Sequence, residues 1–221
     1  MYSQADLAFL ADLSDNANNT SDWVKANRPR YDALIASQRA FIESVGAAMS
    51  DLPDFHAVPK TNKSMMRMNR DTRFSKDKRP YKDHNDSWFW RGPNKKGSAG
   101  YWFRVTGSMA GIGVGMHGMD KDQLNSFRAA VADDGAGEQL VSILQALRDD
   151  GYDVNGEATK RVPRGFDKDH VRADLLKHKG LFAFKDFAPP PAELFTDNAG
   201  EWAAKRYRTL QPLQEWFASV L

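Results

Sequence analysis

The sequence predicts an α+β fold in which a mostly antiparallel sheet packs against N-terminal, central and C-terminal helices. Segments with period-two alternation cluster in the middle of the chain, between segments with helical periodicity. Strands and helices do not alternate regularly, which argues against a parallel sheet built from βαβ units. The chain has 221 residues, of which 41% are hydrophobic and none is cysteine. This length suits a single domain over residues 1–221, and the composition excludes disulfide scaffolds and thiolate chemistry.

The first fifty residues predict three helices. Ser3 is a candidate N-cap for a short helix, and residues 15–19 are of types that favour turns. Thr20 or Ser21 then caps a second helix. From Pro29 onward, apolar residues recur at three-, four- and seven-residue intervals, which predicts a longer helix with one buried face.

Strand patterns begin after this helical region. Residues 66–68 and 82–91 alternate in polarity, and the second alternation places His84 and Asp86 on one face. Residues 71–80 read as a loop between them. Two further strands, joined by glycine-rich turns, complete an antiparallel meander at residues 101–105 and 111–116.

The last hundred residues return to a mainly helical pattern. In chain order the sequence predicts two helices after Asp120, strand-like pieces at 152–154 and 158–162, a helical turn near 173–179, a strand at 181–187, a break at 189–191 and a C-terminal helix.

The most informative segment is residues 67–82, which is rich in arginine and lysine. From Lys60 to Arg104, thirteen Lys and Arg stand against four Asp and no Glu, a local charge of +9, whereas the whole chain carries +2. Phe74 and Tyr81 interrupt the basic residues, unlike in disordered basic arms. The segment therefore predicts an ordered cationic surface that attracts anions.

A compact phosphorylated or carboxylated molecule is the predicted ligand, because a guanidinium group can bind such anions through two hydrogen bonds. Asp71 is predicted to be a buried or half-buried structural organiser that holds one of the arginines. A second basic motif at residues 160–166 is predicted to meet the first in space. The candidate ligand-binding residues all carry a cationic or hydrogen-bond-donating side chain: Arg67, Arg70, Arg73, Ser75, Lys78, Tyr81, Lys82, Arg161 and Arg164.

Several alternative chemistries fit less well. Residues 113–118 match a dinucleotide fingerprint, but no parallel βαβ unit surrounds them. A glycine at every second position instead indicates a strand with one face left clear for the ring of Trp102 or of another aromatic residue on the neighbouring strand. Asp83, His84 and Asp86 are metal-ligand types without a metal-binding spacing, and no base accompanies Ser75 as a nucleophile. The sequence predicts no metal and no cofactor, and it names no reaction.

Two other function classes stay open beside the anion site. The first is a non-enzymatic module that binds nucleic acid or an acidic protein. If it binds nucleic acid, we expect a flat basic stripe with exposed aromatic rings. The second is a structural adaptor, in which we expect internal salt bridges to engage the arginines of the motif. Duplex nucleic acid is less favoured, since the residues outside the basic window sum to −7. The chain start lacks a signal pattern and no apolar run reaches about 18 residues, which predicts a cytoplasmic protein without a membrane partner.

Residues 70–78 (Arg-Asp-Thr-Arg-Phe-Ser-Lys-Asp-Lys), followed by Pro-Tyr-Lys at 80–82, closely resemble the signature of a widespread bacterial and fungal family of domains of unknown function. Residues 18–31, with Asn-Asn, Trp and Tyr, and the second motif at 160–179 resemble further parts of that family. Val24 stands where the family usually has Phe. The resemblance covers most of the chain and implies a compact α+β domain of about this length, without an assigned activity.

Overall fold

Seven α-helices and a six-stranded antiparallel sheet make up the structure, a computed structural model that describes residues 1–221. The predicted α+β class is confirmed. No helix combines the length and the apolar character needed to cross a membrane. The helices are α1 (Gln4–Ser14), α2 (Ser21–Ala26), α3 (Arg28–Ala48), α4 (Lys121–Ala132), α5 (Asp134–Asp149), α6 (Ala173–Leu176) and α7 (Ala199–Val220), with a 3-10 helix at Ala192–Phe195.

The sheet has the strand order β1-β2-β3-β4-β6-β5. Strands β2, β3 and β4 form the predicted meander, and β5 pairs antiparallel with β6 so that Asp153 lies opposite Phe184. The two-residue strand β1 is too short to produce a sequence pattern. The strands are β1 (Phe55–His56), β2 (His84–Arg91), β3 (Gly100–Thr106), β4 (Ala110–Met116), β5 (Asp153–Asn155) and β6 (Leu181–Phe187).

Two predicted strands are wrong. Residues 66–68 are not a strand, because the chain there makes only isolated bridges, from Met65 to Ser87 and from Asn69 to Tyr81. Residues 158–162 likewise contribute one bridge, from Ala158 to His178. Pro163 follows directly and has no amide donor with which to extend a ladder.

The chain divides into two compact units. Unit 1 comprises residues 1–89, 102–112 and 186–205, and unit 2 comprises residues 90–101, 113–185 and 206–221. Each unit contains part of strands β2, β3, β4 and β6. A single domain over residues 1–221 stays a prediction.

Unit 1 is built on α1, α3 and an aromatic core. Helix α1 begins at the predicted cap, because Ser3 and Asp6 form a capping box. The rings of Phe41 and Phe103 lie 4.3 Å apart between centroids. The hydroxyl of buried Tyr2 donates to Oδ1 of Asn85 at 2.6 Å, so the polar group at this end of the core is satisfied.

Unit 2 packs the central and C-terminal helices around a second aromatic cluster. Helix α4 begins at the predicted cap Asp120, which forms a capping box with Gln123. The rings of Phe127 and Trp216 meet edge to face at 5.8 Å. The Trp216 indole donates to the carbonyl of Ala136 at 2.9 Å, which fixes α7 against the start of α5.

The alternate glycines of β4 serve packing, as the sequence predicts. A Cβ at Gly111 would lie 2.5 Å from Oδ1 of Asp186 and 3.3 Å from the ring of Trp102, so the glycine leaves room for that ring. Gly115 has φ +143°, and a Cβ there would overlap the carbonyl oxygen of Leu181 on β6. The strand therefore needs glycine for close approach within the sheet.

We expect Gly115→Ala to lower the free energy of unfolding by about 2 kcal/mol, because the added Cβ collides with the β6 backbone and the φ angle disfavours a side chain. Urea unfolding followed by circular dichroism measures this change. Gly118→Ala is the matched control, since no atom lies within 4 Å of a Cβ at that position. Equal stability of the two variants would contradict the packing role.

Candidate functional site

Residues 67–82, called here the basic loop, form an irregular excursion in unit 1 that is closed at its base by backbone hydrogen bonds. The amide of Arg70 donates to the carbonyl of Pro80 at 2.9 Å, and that of Lys82 donates to Met68 at 2.8 Å. Residues 71–80 contain no helix or strand, which confirms the predicted loop. The side chains of the loop are therefore presented from a fixed base.

Buried Asn19, in the turn after α1, ties the end of the basic loop to the helical part of unit 1. Its Nδ2 donates to the carbonyls of Leu13 at 2.7 Å and Tyr81 at 3.1 Å, while its Oδ1 accepts from the Tyr81 amide at 3.0 Å. One side chain thus satisfies three backbone groups. Asn19 therefore fixes the position of Tyr81, near the end of the basic loop, relative to the end of α1.

A pocket of about 380 Å³ lies at the base of the basic loop. Two of the predicted ligand-binding residues, Arg70 and Lys82, line it together with the predicted organiser Asp71. The other lining residues, which lie outside the predicted ligand site, are Asn69, Arg79, Asp83 and His84. The predicted residues that do not line the pocket are Arg67, Arg73, Ser75, Lys78 and Tyr81 in unit 1 and Arg161 and Arg164 in unit 2.

Asp77 holds two arginines of the pocket on one carboxylate. Arg79 donates to its Oδ2 from Nε at 3.0 Å and from Nη2 at 2.8 Å, and Nη1 of Arg70 pairs with the same oxygen. The hydrogen bonds from Arg79, and then those from Arg70, hold the pKa of Asp77 well below its usual range. Both guanidinium groups are oriented before any ligand arrives.

Asp71 forms a fork with Arg73 at the outer part of the loop. Its Oδ1 accepts from the amide of Arg73 at 3.2 Å and from Nε at 2.9 Å, and its Oδ2 accepts from Nη2 at 2.7 Å. The side-chain hydrogen bonds of Arg73 lower the pKa of Asp71. The predicted burial of Asp71 is wrong, because its partner Arg73 is itself 77% exposed and leaves the side chain of Asp71 58% exposed. Its role as an organiser stays a prediction.

Asp86, on β2, is the least exposed carboxylate of the ion pairs around the pocket, with 16% of its side chain exposed. It accepts from Nε of Arg104 at 2.7 Å and from Nζ of Lys82 at 3.3 Å. Burial raises the pKa of Asp86, but hydrogen bonds from His84 and Arg104 outweigh that effect and hold the pKa well below its usual range. The carboxylate is therefore charged and anchors Lys82 at the pocket wall.

His84 lies between two carboxylates, on the same face of β2 as Asp86. Its Nδ1 is 2.9 Å from Oδ1 of Asp83, and its Nε2 is 3.3 Å from Oδ2 of Asp86. Each ring nitrogen of His84 therefore faces a carboxylate oxygen. No group of three or more His, Asp or Glu residues is arranged to hold a metal ion.

The second basic motif lies in unit 2, in an irregular segment before α6. The side chains of Arg161 and Arg164 are exposed and pair with no carboxylate. Lys179, by contrast, donates to Oε1 of Glu157 at 2.6 Å. The meeting of this motif with the basic loop stays a prediction.

Arg172 is a structural arginine that no local pattern in the sequence indicates. It is buried and caps the carboxyl end of α4: its Nε donates to the carbonyl of Val131 at 2.7 Å, and its Nη2 to that of Asp133 at 3.1 Å. A Cβ at Gly137 would overlap the Arg172 guanidinium, so α5 needs glycine there. The guanidinium thus supplies donors to the carbonyls of Val131 and Ala132, which lie in the last turn of α4.

A protein-family model matches most of the chain. Residues 5–216 match the model described as a conserved hypothetical protein, DUF2461. The chain belongs to this family. The resemblance drawn from the sequence is confirmed at the level of a conserved hypothetical family over most of the chain. The search of curated proteins and that of solved structures found no match.

At pH 7 we expect Asp86→Asn to lower the free energy of unfolding by about 2 kcal/mol, roughly the value of a hydrogen bond to a charged group. The pKa of Asp86 in the folded protein lies below the value of about 3.9 that is typical of an unfolded chain. The carboxylate therefore contributes stability above about pH 4 and loses it as the pH falls. Urea unfolding from pH 7 to pH 2.5 should show the wild type and the variant converging.

Asp22→Asn is the control for this measurement, because Asp22 is 95% exposed and pairs only with Lys25 at 3.4 Å. We expect no measurable change at any pH. A loss of stability in Asp86→Asn that is the same at pH 7 and pH 2.5 would contradict the electrostatic account.

Arg172→Ala should lower the free energy of unfolding by about 3 kcal/mol, because several carbonyls at the end of α4 lose their charged donor. Arg164→Ala, at an exposed arginine eight residues earlier in the chain, should leave stability unchanged. Thermal unfolding of both variants measures the contrast. Similar midpoints would show that Arg172 does not cap the helix.

Proposed function

We propose that the pocket at the base of the basic loop binds a compact anion through a phosphate or carboxylate group. The observation that carries this proposal is an imbalance among the lining residues. Each lining carboxylate is already matched by a cationic partner, whereas the lining cations Arg70 and Lys82 retain unused hydrogen-bond donors. A ligand that complements such a surface must bring acceptors and negative charge.

The carboxylates at the pocket do not compete for this role. Both oxygens of Asp71 accept from Arg73. Asp83 pairs with His84 at 2.9 Å and lies 3.6 Å from Nη1 of Arg79. Their negative charge is therefore locally compensated, and an incoming anion meets little net repulsion from them.

Donors remain at three lining residues. Arg70 makes its ion pair through Nη1, which leaves Nε and Nη2 for a two-point contact with an anion. Nζ of Lys82 donates only to Asp86 among side chains, and an ammonium group has three donors. The side-chain amide of Asn69 is exposed and makes no hydrogen bond. Together these groups supply the donors that a phosphate requires.

The size of the pocket supports a small ligand. Its volume of about 380 Å³ falls at the lower end of the 300–1,000 Å³ range of small-molecule sites. The side chains of Arg70 and Lys82 are 25% and 23% exposed, so their contacts to a ligand are only partly screened by solvent.

The structural-adaptor alternative predicts that internal salt bridges engage all the arginines. Arg73 and Arg79 do direct their Nε and Nη2 donors to carboxylates of the loop, but Arg70 and Lys82 do not use all of theirs. The spare donors favour a binding site. No reaction is proposed, because both ring nitrogens of His84 face carboxylates and no free base lies at the pocket.

The remaining residues that the sequence predicts as anion contacts are less well placed to bind a ligand in the pocket. Ser75 and Tyr81 make no side-chain contact to the pocket, and the ammonium group of Lys78 donates to the carbonyl of Thr72 at 2.9 Å. Arg161 and Arg164 keep exposed guanidinium groups, and we retain them as proposed anion contacts within their own motif. Arg70 and Lys82 are the principal proposed contacts.

Titration with inorganic phosphate and with citrate, followed by isothermal calorimetry, tests the proposal. We expect Arg70→Ala and Lys82→Met each to weaken binding by about tenfold or more, because a charge-assisted hydrogen bond is worth roughly 1.5–3 kcal/mol. Raising the salt concentration from 50 to 200 mM should weaken binding only moderately, since partly buried pairs are less screened.

Arg39→Ala is the matched control, because Arg39 is an exposed arginine of α3 outside the pocket. It should bind phosphate as the wild type does. Equal loss in Arg39→Ala and Arg70→Ala would show that general surface charge attracts the anion. Absence of phosphate and citrate binding by the wild type at millimolar concentration would refute the proposal.

A further inference from the structure

A phenylalanine ring is presented to solvent at the tip of the basic loop. The side chain of Phe74 is 95% exposed, more than any other large hydrophobic residue of the chain. The favourable transfer of this ring out of water is therefore not realised within unit 1. A partner that covered this ring would therefore gain the free energy of removing it from water.

The tip that carries Phe74 is ordered by its own hydrogen bonds. The ammonium group of Lys78 donates to the carbonyl of Thr72 at 2.9 Å, which closes the tip across six residues. On the other side, Arg73 is clamped to Asp71 through its backbone amide and its guanidinium. The ring is thus displayed from a pre-formed turn, which reduces the entropy lost on binding.

The ring lies beside one cation, and further cations belong to the same loop. The guanidinium carbon of Arg73 lies 5.8 Å from the centroid of the Phe74 ring. Arg67 is close enough to lower the pKa of Asp71, and it is exposed without an ion-pair partner. Lys76 is also exposed, and neither Lys76 nor Lys78 pairs with a carboxylate. The surface combines one flat apolar face with several unneutralised cations.

We propose that this tip binds single-stranded nucleic acid, with a base stacked on Phe74 and neighbouring phosphates contacted by Arg67, Lys76 and Lys78. Each nucleotide offers a flat π face beside an anionic group, which is the combination that the tip complements. This surface is separate from the pocket, because none of these four residues lines it.

Single strands fit this tip better than the other anionic partners. In a duplex the base faces are stacked on one another, so a phenylalanine meets a base face only after a base step has been unstacked at a cost in free energy. Stable attachment to an anionic bilayer needs two signals or a wide apolar face, whereas this loop exposes one large apolar ring. An acidic peptide supplies charge without a regular planar partner for the ring.

Fluorescence anisotropy in 50 mM salt tests the proposal with three labelled 12-nucleotide probes: oligothymidylate, a backbone of the same length without bases, and a duplex. The proteins are the wild type, Phe74→Ala, Phe74→Tyr and Val141→Ala. Val141→Ala is the control, because Val141 is an exposed apolar residue on α5 at 42%. Thermal unfolding of each variant confirms that it is folded.

We expect Phe74→Ala to weaken binding of oligothymidylate by about tenfold or more, as loss of one stacked base predicts. Phe74→Tyr keeps the ring and should retain the affinity, as should Val141→Ala. The probe without bases should bind more weakly and equally to the wild type and Phe74→Ala.

The proposal is overturned if oligothymidylate does not bind, or if it binds equally to the wild type and Phe74→Ala. Phe74-dependent binding to phosphatidylserine vesicles in place of oligothymidylate would assign the tip to a membrane surface instead. Lys82→Met should reduce phosphate binding at the pocket. In the Lys82→Met background, Phe74→Ala should still weaken the binding of oligothymidylate. The phosphate titration and the oligonucleotide titration therefore test the two proposals independently.

Discussion

The architecture around the pocket depends on the hydrogen bonds and ion pairs of one half-buried residue, Asp86. Its oxygens accept from Arg104 on β3, from Lys82 at the end of the basic loop and from His84 on its own strand. Its backbone carbonyl accepts from Nε2 of Gln38 on α3 at 2.7 Å and from the amide of Met66 at 3.1 Å. One residue therefore connects helix, sheet and loop within unit 1. A desolvated carboxylate is tolerated there because cationic donors surround it.

The basic loop illustrates how a dense group of cations becomes ordered. Asp71 and Asp77 are interspersed among its arginines, and each binds an arginine two residues further along the chain. Without these carboxylates, like charges at such short separation would repel and favour an extended loop. The aspartates therefore make the turn compact, and they leave the loop with a positive excess. That excess, and not the number of arginines, is what an anionic ligand can use.

Local rules account for much of the fold. The capping residues Ser3 and Asp120, the alternation along β2 and the glycine beneath Trp102 each follow from interactions within a few residues or across one strand pair. The predicted strand at 66–68 fails because its pairing depends on the path of the loop. The site is predicted less completely for the same reason. The pocket forms because backbone hydrogen bonds at the loop base bring residues 69–71 next to residues 79–84, a pairing across the loop that no local spacing encodes.

Arginines that look alike in the sequence have different chemical roles in the structure. Arg73 directs its fork to Asp71 two residues away, Arg172 caps the end of a helix, and Arg70 reaches Asp77 through Nη1 alone. A charge count treats these three side chains as equivalent. The number of donors left after internal pairing separates them, because only an unsatisfied donor gains free energy from a ligand acceptor. By that criterion Arg70 and Lys82 are the groups of the pocket that gain most from an anion, whereas Arg73 contributes chiefly by fixing the shape of the loop.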